Sequence, residues 1–173
     1  GLGIFEGNVY INCQGSIINL LGGGGIWLFA DEYYTANLDI EYCTIFDGET
    51  SGLNFMGIST GNISNCNFIS NDIGLVLMDQ SHATLKNSNF IDNETYGLGL
   101  ITEEPVLEVS YSNFWDNSEG DCMENCPGWG NIWTQLELNP GLGIVYEDPL
   151  FYNIEEFDFN LTENSPCIDT GNP

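Results

Sequence analysis

Apolar residues recur two apart inside short phrases of this chain, and the phrases return roughly every 22 residues. A Gly-apolar-x-apolar phrase begins at Gly1, Gly25, Gly52, Gly74 and Gly97. A second phrase is centred on Cys13, Cys43, Cys66, Ser88 and Ser112. Its last three copies are close to identical: Cys66-Asn67-Phe68 with Asn71, Ser88-Asn89-Phe90 with Asn93, and Ser112-Asn113-Phe114 with Asn117. The Gly phrases are spaced by 24, 27, 22 and 23 residues, and the Cys/Ser phrases by 30, 23, 22 and 24. A repeat of this length is one turn of a solenoid.

A spacing of two is that of a strand with one face buried. No stretch keeps apolar residues at helical spacing over three turns, so a helical repeat does not fit. Short strands separated by Asn, Gly, Asp and Ser corners predict a parallel β-coil in which each turn pairs with the next. Matching positions then stack in columns. Leu2, Ile26, Leu53, Leu75 and Leu98 form one, and Ile4, Leu28, Phe55, Leu77 and Leu100 another. Phe68, Phe90 and Phe114 form a third, the Cys/Ser series a fourth, and Asn71, Asn93 and Asn117 an amide ladder at a corner.

These residues resemble the right-handed parallel β-helix repeat of pectate-lyase-like proteins and many bacterial surface proteins. The resemblance covers residues 1 to 117 through the repeat. It resumes with Gly130-Asn131-Ile132-Trp133, Asp148-Pro149-Leu150-Phe151, Asp158-Phe159-Asn160-Leu161 and Ser165-Pro166-Cys167-Ile168-Asp169-Thr170-Gly171. That closing run looks like the C-terminal end of secreted β-helix proteins. The resemblance implies an all-β, single-stranded right-handed parallel β-helix of about seven rungs, a rod on the order of 35 Å long. One domain is expected over 1–173: regular repeats at 1–117, a loop insertion at 118–129, and C-terminal rungs with a cap at 130–173. Such a coil carries lyases, hydrolases, adhesins and fibres alike, so it implies no single activity.

Charge narrows the field. The 26 acids face a single Lys or Arg, Lys86, and one His, His82, giving a formal net charge of −25. Nucleic acid is excluded, because backbone binding needs several cations. Anionic polysaccharides and anionic membranes would be repelled. No apolar run is long enough to span a bilayer. The first residue already lies on a rung, as expected of a mature or trimmed product that is secreted or displayed at a cell surface.

Candidate chemistry is sparse. Uronate lyases of the resembled fold use basic side chains that this chain lacks, and the carboxylates Asp72, Asp79, Asp92 and Asp116 follow the corner positions of the repeat. A non-enzymatic role is therefore the expectation. The stretch Asp116-Asn117-Ser118-Glu119-Gly120-Asp121 crowds oxygen donors, with Asp116, Ser118, Gly120 and Asp121 as candidate calcium ligands; a solvated acidic loop is the more ordinary reading of the same residues. Glu147, Asp148, Glu155, Glu156 and Asp158 form a second acidic group. Cys122 and Cys126 can bridge the 118–129 loop, while Cys13, Cys43 and Cys66 read as an inward stack of small side chains. Asn62, Asn93 and Asn160 each begin an N-glycosylation pattern, although the ladder claims Asn93.

The outward column Gly3, Trp27, Asn54, Val76 and Gly99 carries no charge, which makes it a candidate contact face. An open coil also exposes strand edges at its ends. The leading expectation is a structural or adhesive protein that self-associates end to end or along this strip. The rival is a carbohydrate-binding or carbohydrate-active module for neutral polysaccharide, with Trp27, Tyr33 and Tyr34 as an aromatic platform.

Overall fold

A computed structural model describes residues 9–15, 17–102, 105–125, 133–135 and 143–168. Leu2, Gly3, Ile4, Cys126, the run 130–132 and residues 169–171 lie outside the described residues, as does the side chain of Cys13.

The chain forms five successive three-strand coils. The first holds β1 (Val9–Gln14), β2 (Ile17–Gly23) and β3 (Ile26–Ala30). The second holds β4 (Ala36–Glu41), β5 (Thr44–Gly48) and β6 (Leu53–Gly57). Next come β7 (Thr60–Ser64), β8 (Asn67–Ile69) and β9 (Ile73–Met78). The fourth coil is β10 (His82–Lys86), β11 (Asn89–Ile91) and β12 (Tyr96–Ile101). The fifth is β13 (Val106–Ser110), β14 (Asn113–Trp115) and β15 (Gly120–Asn125). Like strands stack in parallel, making sheet A from β1, β4, β7, β10 and β13, sheet B from β2, β5, β8, β11 and β14, and sheet C from β3, β6, β9, β12 and β15. The architecture is the all-β parallel solenoid that the repeat predicts.

The predicted columns are realised in register. Ile26, Leu53, Leu75 and Leu98 succeed one another in sheet C, as do Leu28, Phe55, Leu77 and Leu100. Phe68, Phe90 and Phe114 are fully buried, with ring centroids 4.8 and 5.0 Å apart and planes within 5° and 9° of parallel. Those distances match the strand spacing of about 4.8 Å, so the backbone sets the stack. It also explains the Gly phrase. A Cβ at Gly74 would lie 2.7 Å from Phe90 Cδ1 and 2.7 Å from the Gly97 carbonyl oxygen, and one at Gly97 would lie 2.9 Å from Phe114 Cδ1. Glycine is required where each Phe ring leans on the neighbouring strand.

The corners follow the same logic. Tyr42, Asn65, Asn87 and Tyr111 share a left-handed backbone with φ of 54°, 53°, 50° and 51°, and Asp47, Ser70, Asp92 and Asp116 share a second such corner. Asn and Asp tolerate this region best among residues with a Cβ. After the first corner, Cys43 and Cys66 turn their thiols to the carbonyls of Glu41 and Ser64, each at 3.2 Å. Ser88 and Ser112 donate to the equivalent carbonyls of Lys86 and Ser110 at 2.9 and 3.0 Å. Thiol and hydroxyl make the same local bond, which is why Cys and Ser alternate in one column. After the second corner stand Asn71, Asn93 and Asn117. Asn93 Nδ2 donates to Asn117 Oδ1 at 2.7 Å, and Asn71 N–H and Nδ2 donate to Asn93 Oδ1 at 3.1 and 3.3 Å.

Three expectations are corrected. Residues 120–125 are not loop but strand β15, in register with β12 so that Cys122 extends the Leu75–Leu98 column. The strand escaped notice because a small Cys replaces Leu inside while Asp121 and Glu124 flank it. Among the described residues the number of coils is five, not about seven: after β15, β16 (Trp133–Gln135) runs antiparallel along it. Finally, in the uncharged column Asn54 and Val76 are only 1% and 2% exposed and Gly99 is buried, while Trp27 is half-buried, so Asn54, Val76 and Gly99 offer no open contact face. Their lack of charge reflects burial: Asn54 Nδ2 donates to Ser51 Oγ and to Ile26 O, and the Met123 methyl lies over Gly99.

Candidate functional site

The C-terminal arm starts as a fragment of one more rung. Val145 bridges Asn113 in parallel, Val145 N–H donates to Ser112 O at 2.9 Å, and Phe114 N–H donates to Val145 O at 3.0 Å. Asn113 then clamps the chain through its amide. Its Nδ2 donates to Glu147 O at 2.9 Å and its Oδ1 accepts from Glu147 N–H at 3.2 Å. This register sets Tyr146 over Phe114, with centroids 6.5 Å apart, and Glu147 beside Trp115. Beyond it the arm folds into the hairpin of β17 (Phe151–Asn153) and β18 (Asp158–Leu161). Phe157 and Phe159 pack on Phe46 of sheet B at 5.3 and 6.4 Å.

The arm thereby meets sheet B's outer column at Phe46 and beside Trp115. That column runs Phe46, Ile69, Ile91, Trp115. Ile69 and Ile91 are each 4% exposed, whereas Trp115 at the end is 39% exposed. Trp115 opens into a shallow cleft of about 360 Å³ lined also by Glu147, Asp148, Leu150, Asn164 and Pro166. The lining is held by local bonds: Asp148 Oδ1 accepts from Leu150 N–H at 2.8 Å, and Ser165 Oγ accepts from Cys167 N–H at 3.1 Å. Chemically this is an indole face and two apolar walls, with two carboxylates and an amide as hydrogen-bonding groups. In the sequence Glu147 and Asp148 stand out only as an acidic group, and Asp148, Leu150 and Pro166 only as parts of the C-terminal signature. Trp115 went unmarked, although it breaks the Ile69–Ile91 column where an isoleucine would continue it.

The other candidates stand apart from the cleft. Asp116 and Ser118 are exposed, and Gly120 and Asp121 begin β15. Among the described residues no three His, Cys, Asp or Glu side chains converge. Burial pushes the Asp121 carboxyl above its ordinary value, against a hydrogen bond with Asn117 that pulls it down. The folded chain therefore disfavours the charged form, and the stability present at low pH diminishes as pH rises through the carboxylate range, from about 4 upward. Asp121→Asn should raise the melting temperature at pH 7 and leave it nearly unchanged at about pH 3, which thermal denaturation at the two pH values checks.

Trp27 folds its indole N–H onto Gly24 O. Tyr33 and Tyr34 project from a separate turn whose amides bond Asp31 Oδ1 at 2.9 and 3.1 Å. Among the described residues no ring contact joins them to Trp27. Asn93 is fully buried in its ladder, whereas Asn62 and Asn160 are exposed. Cys122 is buried in sheet C, and the other half of the expected bridge, Cys126, lies outside the described residues.

A family model described as a right-handed β-helix region matches residues 2–131, and so ends before the arm. No curated protein matches the chain, and no solved structure does.

Proposed function

The chain belongs to the right-handed β-helix family, a fold that hosts many activities, and we propose from its cleft that it is an extracellular carbohydrate-binding module. The observation that carries this reading is Trp115, left open at the end of a column in which Ile69 and Ile91 are buried, and walled by Leu150 and Pro166. An indole offers a broad apolar face to the C–H face of a pyranose, while carboxylate and amide oxygens accept from its hydroxyls. A coil of five stacked sheet strands supplies the rigid support on which such a site keeps its shape.

End-to-end self-assembly is less well supported at the C-terminal end. There β16 lies along the edge of β15, and Val145 occupies the edge of β14, so two of the three sheets already have a following segment. Of the column expected to serve lateral contact, Asn54, Val76 and Gly99 are buried.

Trp115→Ala is expected to weaken binding of a neutral oligosaccharide by about tenfold or more while leaving the unfolding midpoint close to that of the parent. Titration calorimetry against a panel of neutral tetrasaccharides checks this. Failure of the parent chain to bind either these or an amino-sugar tetrasaccharide would remove the reading, and unchanged binding by the variant would move the site elsewhere.

A further inference from the structure

The cleft has a charge asymmetry that narrows its ligand. Among the described residues, Glu147 and Asp148 are its only ionisable lining groups. The chain's two basic side chains, His82 and Lys86, lie on β10 in sheet A and do not line it. The two carboxylates belong to a fixed backbone, gripped by Asn113 at Glu147 and turned by the Asp148–Leu150 bond. Their field reaches Cys167, next to Pro166. Burial is the largest influence raising that thiol's pKa, and Glu147 and Asp148 add to it, while a hydrogen bond with Ser165 opposes them.

A concave site with one sign of charge beside an aromatic face suits a protonated amine. The carboxylates give charge-assisted hydrogen bonds, and the indole adds a cation–π contact. A uronic sugar would instead set a third carboxylate against the first two. Resting on the carbohydrate reading above, we propose that the preferred ligand is a glycan bearing a free amine, a 2-amino-2-deoxypyranose, in contact with Trp115, Glu147 and Asp148.

The test is titration calorimetry at about 0.15 M salt, where long-range attraction is screened beyond about 8 Å. The probes are a fully deacetylated glucosamine tetramer, its N-acetylated counterpart, a glucose tetramer, a galacturonate tetramer and tetralysine. The deacetylated tetramer should bind at least about tenfold tighter than the N-acetylated one, with the uronate not bound. In the double variant Glu147→Gln, Asp148→Asn the two glucosamine forms should bind within about twofold of each other. Both replacements keep the local bonds, because Asn113 grips the main chain of residue 147 and an Asn at 148 can still accept from Leu150.

The net charge of −25 attracts any polycation, so bulk attraction must be separated from the site. Amine preference that survives the double variant would overturn the proposal, as would undiminished affinity for the amino sugar in Trp115→Ala or tetralysine binding as tightly as the amino sugar. Equal affinity for the acetylated and free-amine tetramers would overturn the amine preference and leave the carbohydrate reading standing. No binding of any sugar probe by the parent chain would overturn both.

Discussion

Phe90→Ala is expected to lower unfolding free energy by about 3–5 kcal/mol, towards the upper part of the range for large-to-small core substitutions. The ring is fully buried between Phe68 and Phe114. What makes the loss large is the lack of anything nearby that can move in. The flanks are Gly74 and Gly97, whose main chains lie against Phe90 and carry no side chain to refill the space. Both glycines sit in strands of sheet C or at their start, hydrogen-bonded to the rungs on either side, so the backbone resists collapse. Phe90→Leu, which keeps much of the volume, should cost less than about 2 kcal/mol. Urea denaturation of the three proteins checks the order, and a loss below about 1 kcal/mol for the alanine variant would show that the stack is not the principal core element.

Asn93→Leu is expected to cost about 2–5 kcal/mol although it exchanges a polar side chain for an apolar one of similar size in a fully buried place. Asn93 Oδ1 is the acceptor for Asn71 N–H, and Asn93 Nδ2 donates to Asn117 Oδ1 and to Phe68 O. Leucine can neither accept from the Asn71 N–H nor donate to Phe68 O, both fully buried, although its own main-chain N–H still donates to Asn117 Oδ1. Leaving a buried donor or acceptor unmade costs about 1–3 kcal/mol each, more than the apolar gain returns. Because Asn71 and Asn117 each keep a bond to a main-chain carbonyl, at Ile45 and Phe90, the remainder of the ladder should survive. Hydrogen exchange should therefore show the protection loss concentrated at the Asn71 amide and the adjoining corner of β8 and β9. Uniform loss over the whole coil would mean that the ladder acts as one cooperative unit instead.

The repeat was legible because parallel stacking places equivalent positions on top of one another. Each column then meets the same surroundings at every rung and selects the same side chain, as in Phe68, Phe90 and Phe114 or the Cys/Ser series. Where the surroundings change, the signal fades. Strand β15 was hidden because Cys122 replaces the inward leucine, and Tyr146 was missed because 32 residues separate it from Phe114 rather than one turn of the coil. The cleft was illegible for the same reason. Trp115 is the third residue of a three-residue strand, and its partners Glu147, Leu150, Asn164 and Pro166 come from an arm that has no period.

The amino-acid sequence by itself determined the coil: its parallel rungs, its inward columns and its corner residues, since each depends on near neighbours and on an identical unit one turn away. Only the tertiary structure decided which outer surfaces meet solvent. It buried the uncharged column of Asn54, Val76 and Gly99, laid Phe157 and Phe159 over Phe46, and left Trp115 open at the end of sheet B. The fit of a non-repeating arm to one face depends on side-chain shape across many rungs at once, and no spacing along the chain encodes it.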